Sequence, residues 1–565
     1  MRRLSPIPSL LAMVAAILAT LPAHAHAPGA TVRTSCGALR LAAEADDAGA
    51  RLCRLIETGE LPDLRWPDFT NYREQIRQFY GPVFSLAWTS NGAPTPQARA
   101  LVQALQRAEE RGLEPEDYDA SRWRDRLVRF ASANPVSSEE LARFDLALTV
   151  SAVRYVSHVH HGRLNPADFQ SGLKRAPFDA AGFLKREVVA AADVPAALAQ
   201  AEPAWPGYGR ALKALQNYLV MARGGESGPI PRGNQDVYPD SSYAGVMQIA
   251  AKLRRTGDLP PDARIAHPEI YEEPLVSAVK HFEGRNGIEV DGILGPDTYD
   301  KLDTPLGRRA TQLKLALERW RWLPEDAGRR FITVNLPEFR LRAFEGGRQT
   351  LTMKVVIGEA SGVHTPSFAD RVDSIVFRPY WRIPSHVAKY EILPDVRKDP
   401  HYLWKNHMEV VNASGQIVAV DQPVPAVLQQ LDSGKLSLRQ QPGDGNAMGL
   451  VKFVFPSREG LYLHGTSEAN LFASSRRDFS HGCIRLEHPL ALASWVLRNS
   501  PEWTPERVEA AMVGNQSIPV KLESPVPVFV TYDTAVVEEN GDVHFFDDIY
   551  GQDAAVEKAL ASARP

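Results

Sequence analysis

The 565-residue sequence is short of cysteine, of net charge and of long apolar runs. Its formal net charge is −4 at pH 7, which gives no indication of the clustered basic surface that nucleic-acid binding would need. After the first 25 residues, no segment approaches about 18 consecutive apolar residues, so the sequence predicts no transmembrane segment in the mature chain. Because there are only three cysteines, each of them needs its own explanation.

Residues 1–25 have the pattern of a secretory signal peptide. Arg2 and Arg3 precede an apolar run from Leu10 to Leu21, and Ala23-His24-Ala25 supplies a small-x-small cleavage site. Cleavage after Ala27 is an alternative. A retained membrane anchor is a weaker alternative, because the apolar run is short for a bilayer. The sequence therefore predicts an exported protein.

Export changes the interpretation of the cysteines. Cys36 and Cys53 lie 17 residues apart near the mature N-terminus, and an oxidising compartment would allow them to form a disulfide. The alternative is two free thiols. If they pair, Cys483 is left as an odd free thiol in an exported protein, which suggests a reactive role for it.

The length predicts several domains, since single cores stop growing near about 250–300 residues. Residues 36–225 have mainly helical patterns, with a helix expected over 97–110 and a longer one over 141–161. His158, His160 and His161 lie at the end of the second helix. No acidic or cysteine ligand accompanies them, so a solvated helix end is expected there rather than a metal site.

A Gly/Pro/Ser linker over 225–240 precedes a compact unit over 240–305. Two helices are predicted in it, with apolar faces formed by Val246, Ile249 and Leu253 and by Leu275, Val279 and Phe282. A turn at Asp291-Gly292 and a short helix from Pro296 follow. The stretch AVKHFEGRNGIEVDGILGPDTYDKL resembles the three-helix peptidoglycan-binding module of cell-wall enzymes. A helical spacer without glycan affinity is the alternative.

After a connecting helix over 306–330, apolar residues alternate with period two, which predicts a mostly antiparallel β domain over 331–523. Gly346-Gly347 is expected to form a hairpin turn. Residues 384–449 interrupt the strand pattern, as a lid or a disordered loop would, and Gly443, Gly445 and Gly449 suit a hinge. Residues 524–565 form a C-terminal tail. The predicted fold class is therefore α+β and multidomain.

The stretch FSHGCIRLEHP places Cys483 in a polar, potentially cationic setting that favours a thiolate. A cysteine nucleophile needs a base, and His464 in LYLHGT and His481 are the candidates. In an extended segment, His481 and Cys483 would point to the same face. Gly482 between them would let the backbone direct its N–H toward a substrate oxygen.

His464-Gly465, followed after 15 residues by Ser480-His481-Gly482-Cys483, resembles the signature of the L,D-transpeptidase (YkuD-type) catalytic domain. The predicted scaffold, peptidoglycan-binding-like module, lid and tail resemble the large YcbB-like subgroup of Gram-negative bacteria. The resemblance implies Cys483 as nucleophile and His464 as base, with the Gly465 carbonyl orienting the imidazole.

The resemblance also implies roles for the surrounding residues. The N–H groups of Gly482 and Cys483, with Tyr462 nearby, would form the oxyanion hole, and His481 would shape the pocket or assist proton transfer. Ser480 would be a turn hydroxyl or a hydrogen-bond partner. For Arg485, gripping a peptide carboxylate and forming a structural ion pair remain equally open.

The implied reaction joins peptidoglycan stems in the periplasm, at the cell wall, without a cofactor. Cys483 would attack a tetrapeptide stem at its third residue, release terminal D-Ala, and pass the acyl group to an amine of a second stem, giving a 3→3 cross-link. Water, a free D-amino acid or an envelope protein are alternative acceptors. Carbapenem-type β-lactams would acylate the same thiol. A non-catalytic wall-binding scaffold and a zinc hydrolase using His464, His481 and Cys483 are the competing hypotheses.

Overall fold

The computed structural model divides the chain into a helical region, a small module, a β-rich domain and an insert within that domain. It describes residues 47–131, 135–169, 171–225, 228–232, 235–419, 424–458, 460–514 and 516–565. The predicted signal peptide and Cys36 lie outside these residues, so export and the Cys36–Cys53 disulfide stay predictions. Within the described part of the chain, every helix is too short or too polar to cross a membrane.

The N-terminal region is helical, as predicted. Its long helix begins with a capping box, in which Ser137 and Glu140 satisfy each other's backbone N–H groups. The helix buries apolar residues on several sides and forms the centre of this region's core. The helices are α1 Ala48–Thr58, α2 Arg73–Tyr80, α3 Pro96–Gln106, α4 Trp123–Arg129, α5 Ser138–His161, α6 Ala180–Phe183, α7 Val194–Ala199 and α8 Pro206–Arg223. Two short strands, β1 Thr89–Ser90 and β2 Ala93–Pro94, form a hairpin.

The expectation of a solvated end for α5 is wrong for His158. This side chain is buried, and its Nδ1 lies 2.9 Å from the hydroxyl of Tyr118. Burial holds the pKa of His158 well below its usual value. His158 is therefore a neutral core residue. The helix pattern did not reveal this, because the partner Tyr118 is 40 residues away in the sequence.

The small module has the predicted helices, α9 Val246–Thr256, α10 Leu275–Arg285 and α11 Pro296–Leu302, with a short hairpin of β3 Ser241–Ser242 and β4 Ile270–Tyr271. Both predicted apolar faces are buried in its core. Glu283 holds the Asp291-Gly292 turn, because its carboxylate accepts hydrogen bonds from Gly292 N at 2.9 Å and Thr298 Oγ1 at 3.1 Å. The helix α12 Leu306–Trp320 then packs against α8 and leads to the β domain.

Glu283→Gln is expected to change the pH dependence of stability. Burial raises the pKa of Glu283 to about 7, above the value of an unfolded glutamate. The folded state therefore binds its proton more tightly, and stability is lost as pH rises from about 4.5 to 7. The melting temperature of the variant minus that of the wild type should therefore be more positive at pH 8 than at pH 5. An equal difference at both pH values would contradict this.

The β domain is built on one sheet of nine strands. The strands are β5 Arg330–Asn335, β6 Arg340–Glu345, β7 Arg348–Gly358, β8 Phe368–Phe377, β13 Val451–Val454, β14 Tyr462–His464, β15 Asp478–Ser480, β16 Ile484–Leu486 and β17 Ile518–Thr531. Their order is β15-β7-β16-β14-β13-β8-β17-β5-β6, and β6 also pairs with β7. Most neighbours are antiparallel, while β14 with β16, β15 with β7, and β17 with β5 are parallel. The predicted hairpin turn at Gly346-Gly347 is confirmed, with φ of 58° and 79°. The predicted α+β, multidomain class is confirmed.

Helices α17 Pro489–Leu497 and α18 Pro505–Val513 cover the buried face of this sheet. The strand β17 continues past residue 523, so the segment from 524 begins inside the sheet. The rest of that segment forms a hairpin of β18 Ala535–Val537 and β19 Val543–Phe545, followed by α19 Gln552–Ser562.

The insert between β8 and β13 is a folded unit rather than a disordered loop. Its strands form a second sheet in the order β11-β10-β12-β9. They are β9 Trp381–Arg382, β10 Met408–Val411, β11 Ile417–Ala419 and β12 Ser437–Gln440. The helices are α13 Ser385–Val387, α14 Leu393–Lys398, α15 Tyr402–Lys405 and α16 Pro425–Asp432. Leu393, Leu403, Val410 and Leu438 belong to a separate apolar core, which stabilises the insert as a unit.

Candidate active site

The candidate site lies on one face of the sheet, where β13, β14 and β16 run side by side. Lys452 is the register partner of His464, and His464 is the partner of Arg485. The alternate residues, including Leu463 and Ile484, point into the core. The period of a strand therefore brings Lys452, His464 and Arg485 to the same face.

His464 is buried and held by its neighbour. Its Nδ1 lies 2.5 Å from the carbonyl oxygen of Gly465, so Nδ1–H donates, and in the neutral ring Nε2 then carries no proton. The backbone of Met448 also interacts with the ring and, like Gly465, favours its protonated form. Burial, reinforced by the positive charge of Arg485, lowers the pKa of His464 to about 4. The imidazole is therefore neutral at physiological pH and able to accept a proton.

Cys483 precedes β16 and lies beside Tyr462 by extension of the β14–β16 register. Its sulfur is 3.4 Å from the carbonyl oxygen of Gly460. Burial raises the pKa of the thiol, opposed in part by the backbone N–H of Tyr462 and the charges of Arg485 and Lys452. The expected resting thiolate is therefore wrong for this structure, because the neighbouring cations do not outweigh desolvation.

The residues before Cys483 form a turn and not the extended segment expected. Gly482 has φ of 106°, a conformation that favours glycine. The hydroxyl of Ser480 donates to Cys483 O at 2.5 Å and accepts from Gly482 N at 3.2 Å. Ser480 is thus a turn hydroxyl. It accepts the hydrogen bond of the Gly482 N–H, which was expected to face a substrate oxygen.

His481 and Cys483 consequently do not share a face. His481 is exposed, and its Nε2 lies 2.8 Å from Oε1 of Glu391 in the insert. The ring therefore faces the insert and joins it to the catalytic turn. The described residues contain no cluster of three or more His, Cys, Asp or Glu that would hold a metal ion.

Arg485 forms an ion pair with Glu468. The arginine side chain is 15% exposed and the glutamate 58%, so the pair lies at the rim of the site. Arg485 still lowers the pKa values of both His464 and Cys483. These contacts fit the alternative in which Arg485 forms a structural ion pair. From that position its positive charge still acts on His464 and Cys483.

Sequence reasoning missed Thr365, which braces the turn from the opposite side. Its buried hydroxyl donates to Gly482 O at 2.7 Å and accepts from Gly358 N at 2.9 Å. Tyr550 in the C-terminal segment supports this brace, since its hydroxyl donates to Gly358 O at 2.5 Å and its ring stacks on His364. No local pattern signals these contacts, because Thr365 and Tyr550 are 185 residues apart.

Thr365→Val is expected to lower kcat by about 10-fold with a smaller effect on KM. The change keeps the side-chain shape but leaves the carbonyl of Gly482 and the N–H of Gly358 without partners, a cost of about 1–3 kcal/mol each when buried. The backbone next to Cys483 should shift as a result. Thr365→Ser keeps the hydroxyl and should restore most of the rate. Equal losses in both variants would assign the effect to packing alone.

Lys452 was also missed, although its alternation with the buried Val451 and Phe453 gave a signal for its face. Its side chain is half-buried, and Nζ lies 4.6 Å from the centre of the Tyr462 ring. Burial and the charge of Arg382 lower the pKa of Lys452 below the usual lysine value, and only negative charge on the Cys483 sulfur would oppose them. Lys452 therefore belongs to the immediate surroundings of Cys483.

Three models of known protein families match separate parts of the chain. An L,D-transpeptidase catalytic domain of the YkuD type matches residues 329–521, a peptidoglycan-binding domain matches 242–302, and a scaffold domain matches 74–215. A Haemophilus influenzae protein named as an L,D-transpeptidase is 31% identical over 229 residues. That match covers 40% of this chain and 45% of the relative, so the chain spans less than half of the relative's length.

A crystal structure of an L,D-transpeptidase from Xylanimonas cellulosilytica is 16% identical and covers 53% of this chain and 100% of that chain. Its TM-score is 0.18, so this likeness supports no conclusion about the present fold.

Proposed function

We propose that this chain is a peptidoglycan L,D-transpeptidase that forms 3→3 cross-links through a thioester on Cys483, and the match of residues 329–521 to the YkuD-type catalytic domain supports the proposal. The observation that carries the proposal is the position of the Cys483 thiol. It is held by the Ser480 turn beside the strand that ends in a buried, neutral His464. A nucleophile and a competent base on adjacent strands are what acyl transfer requires.

In the first half-reaction, the sulfur of Cys483 attacks the carbonyl carbon of the third stem residue while its proton passes to Nε2 of His464. The Gly465 carbonyl stabilises the imidazolium that forms, because it accepts the Nδ1–H. The backbone N–H of Cys483 would stabilise the developing oxyanion, while the Tyr462 N–H stabilises negative charge on the sulfur. The C–N bond then breaks, and the amine of terminal D-Ala leaves with the proton from His464.

In the second half-reaction, the side-chain amine of an acceptor stem attacks the thioester carbonyl. His464 takes the amine's proton and returns it to the sulfur as the C–S bond breaks, which regenerates the thiol and leaves an amide. The energy of the cleaved peptide bond is kept in the thioester, so no nucleotide is consumed. The folded insert joined to His481 supports the exclusion of water from this step.

The peptidoglycan-binding domain fits a chain that acts on assembled cell wall. Together with the predicted signal peptide, it supports a periplasmic, wall-associated location. Acylation of Cys483 by carbapenem-type β-lactams belongs to the same proposal, because these compounds present a strained carbonyl to the same thiol.

The proposal is tested by incubating the purified chain with disaccharide tetrapeptide stems and identifying products by mass spectrometry. We expect release of D-Ala and a 3→3 linked dimer, and a carbapenem adduct on the intact protein. Cys483→Ala should give none of these. Tripeptide without dimer would indicate water as acceptor, and dimer formation by Cys483→Ala would contradict the thioester mechanism.

A further inference from the structure

Lys452 is a cation without a counter-ion in a partly buried position. Among the residues that the structure describes, no carboxylate oxygen lies within 4 Å of its Nζ, and its contact is with the face of the Tyr462 ring. Burying an ammonium group without an anion is unfavourable. The position is therefore suited to an anion supplied by a ligand.

A second cation, carried by the insert, acts electrostatically on Lys452. Arg382 of β9 is exposed, and its charge lowers the pKa of Lys452. The described residues offer Arg382 no carboxylate within ion-pair distance, whereas its cross-strand neighbour Arg439 pairs with Glu409 at 2.6 Å. Two like charges that act on each other repel, and an anion bound by both would convert that repulsion into attraction.

The Cys483 sulfur is a poor candidate for that anion in the resting state, since burial keeps it protonated. The charge of Arg485 is already neutralised by Glu468, so this arginine needs no further anion. The donor stem, by contrast, brings carboxylates to the nucleophile: the free C-terminus of its fourth residue, and a side-chain carboxylate where the third residue is diaminopimelate.

We propose that Lys452 and Arg382 together form a carboxylate-binding subsite for the donor stem, with one cation from the catalytic sheet and one from the insert. The inference rests on the proposed function and adds the ligand chemistry of the site. The subsite aligns the scissile carbonyl with Cys483, and it is complete only while the insert presents Arg382 to Lys452. A charge-assisted contact to a carboxylate of this kind is worth about 10- to 100-fold in binding.

The test compares three donor stems: the free acid, the C-terminal amide, and a stem amidated on the third-residue side chain. We measure kcat/KM for release of the fourth residue by the full chain. Wild type should cleave one of the two amides about 10- to 100-fold more slowly than the free acid, which identifies the carboxylate bound. Lys452→Met should reduce that preference to within about threefold, and Arg382→Gln should reduce it in the same direction.

Lys452→Arg keeps the charge and should retain the preference. Lys435→Met removes the same charge from an exposed position of the insert and should leave the preference unchanged. Equal cleavage of all three stems by wild type would overturn the inference alone. The inference would also be overturned if Lys452→Met lowered kcat/KM equally for all three stems, since the lysine would then act on the thiol of Cys483 rather than on a carboxylate. Wild type that cleaves none of the stems would contradict the proposed function as well.

Discussion

His464→Gln is expected to lower kcat/KM for cleavage of the tetrapeptide stem by about 10³-fold, within the usual contribution of a general base. Glutamine can still donate a hydrogen bond to the carbonyl of Gly465, so the strand should keep its conformation. What it cannot do is accept the thiol proton. Because the thiol is protonated at rest, loss of the base affects every turnover.

The control for this variant is His488→Gln, since His488 is an exposed histidine of the same segment, with a side chain that is 61% exposed. It should keep wild-type activity. If His464→Gln retained more than about a tenth of the wild-type rate, His464 would not be the base. Melting curves of both variants should coincide with wild type, which separates a loss of chemistry from a loss of folding.

The same assignment predicts the acid side of the pH profile of kcat/KM for wild type. His464 must be neutral to accept the proton, and its pKa is lowered to about 4. Activity should therefore persist to about pH 5 and fall only as pH approaches 4, where the imidazole becomes protonated. A fall centred near pH 6.5, the value of an ordinary histidine, would contradict a buried and neutral base.

Gly449→Ala is expected to lower the free energy of unfolding of the catalytic domain by about 3 kcal/mol, combining strain and collision. Gly449 has φ of 60°, which L side chains rarely adopt. A Cβ atom there would lie 2.5 Å from Thr466 N and 2.6 Å from the carbonyl carbon of Gly465. Backbone atoms cannot move aside as a flexible side chain can, so Gly465 would be displaced.

Displacement of Gly465 would also disturb the hydrogen bond that orients His464, so activity should fall in the fraction that remains folded. The matched control is Gly443→Ala, because a Cβ atom at Gly443 would meet nothing within 4 Å. Denaturant unfolding and D-Ala release should be measured for both variants. Similar stability of the two would mean that Gly449 is the hinge its sequence context suggested, rather than a close-packing position.

Much of the fold was predictable because its signals are local. The helix faces of the small module, the hairpin at Gly346-Gly347 and the alternating strands depend on residues a few positions apart, and the structure has them as expected. The insert was predicted only as an interruption, since its sheet forms from short strands separated by helices. Its separate core depends on contacts that no periodic pattern reports.

For the site, the sequence by itself determined the chemistry-bearing residues: the motif from His464 to Cys483 and the isolation of that cysteine. Only the tertiary structure decided their states. Burial makes His464 neutral and Cys483 a thiol, Ser480 takes the N–H of Gly482, and His481 turns to Glu391. The charge of Arg382 acts on Lys452 only because the fold brings the insert near the sheet. The physical reason is that protonation and hydrogen bonding depend on desolvation and on partners distant in the chain, which neither spacing nor composition encodes.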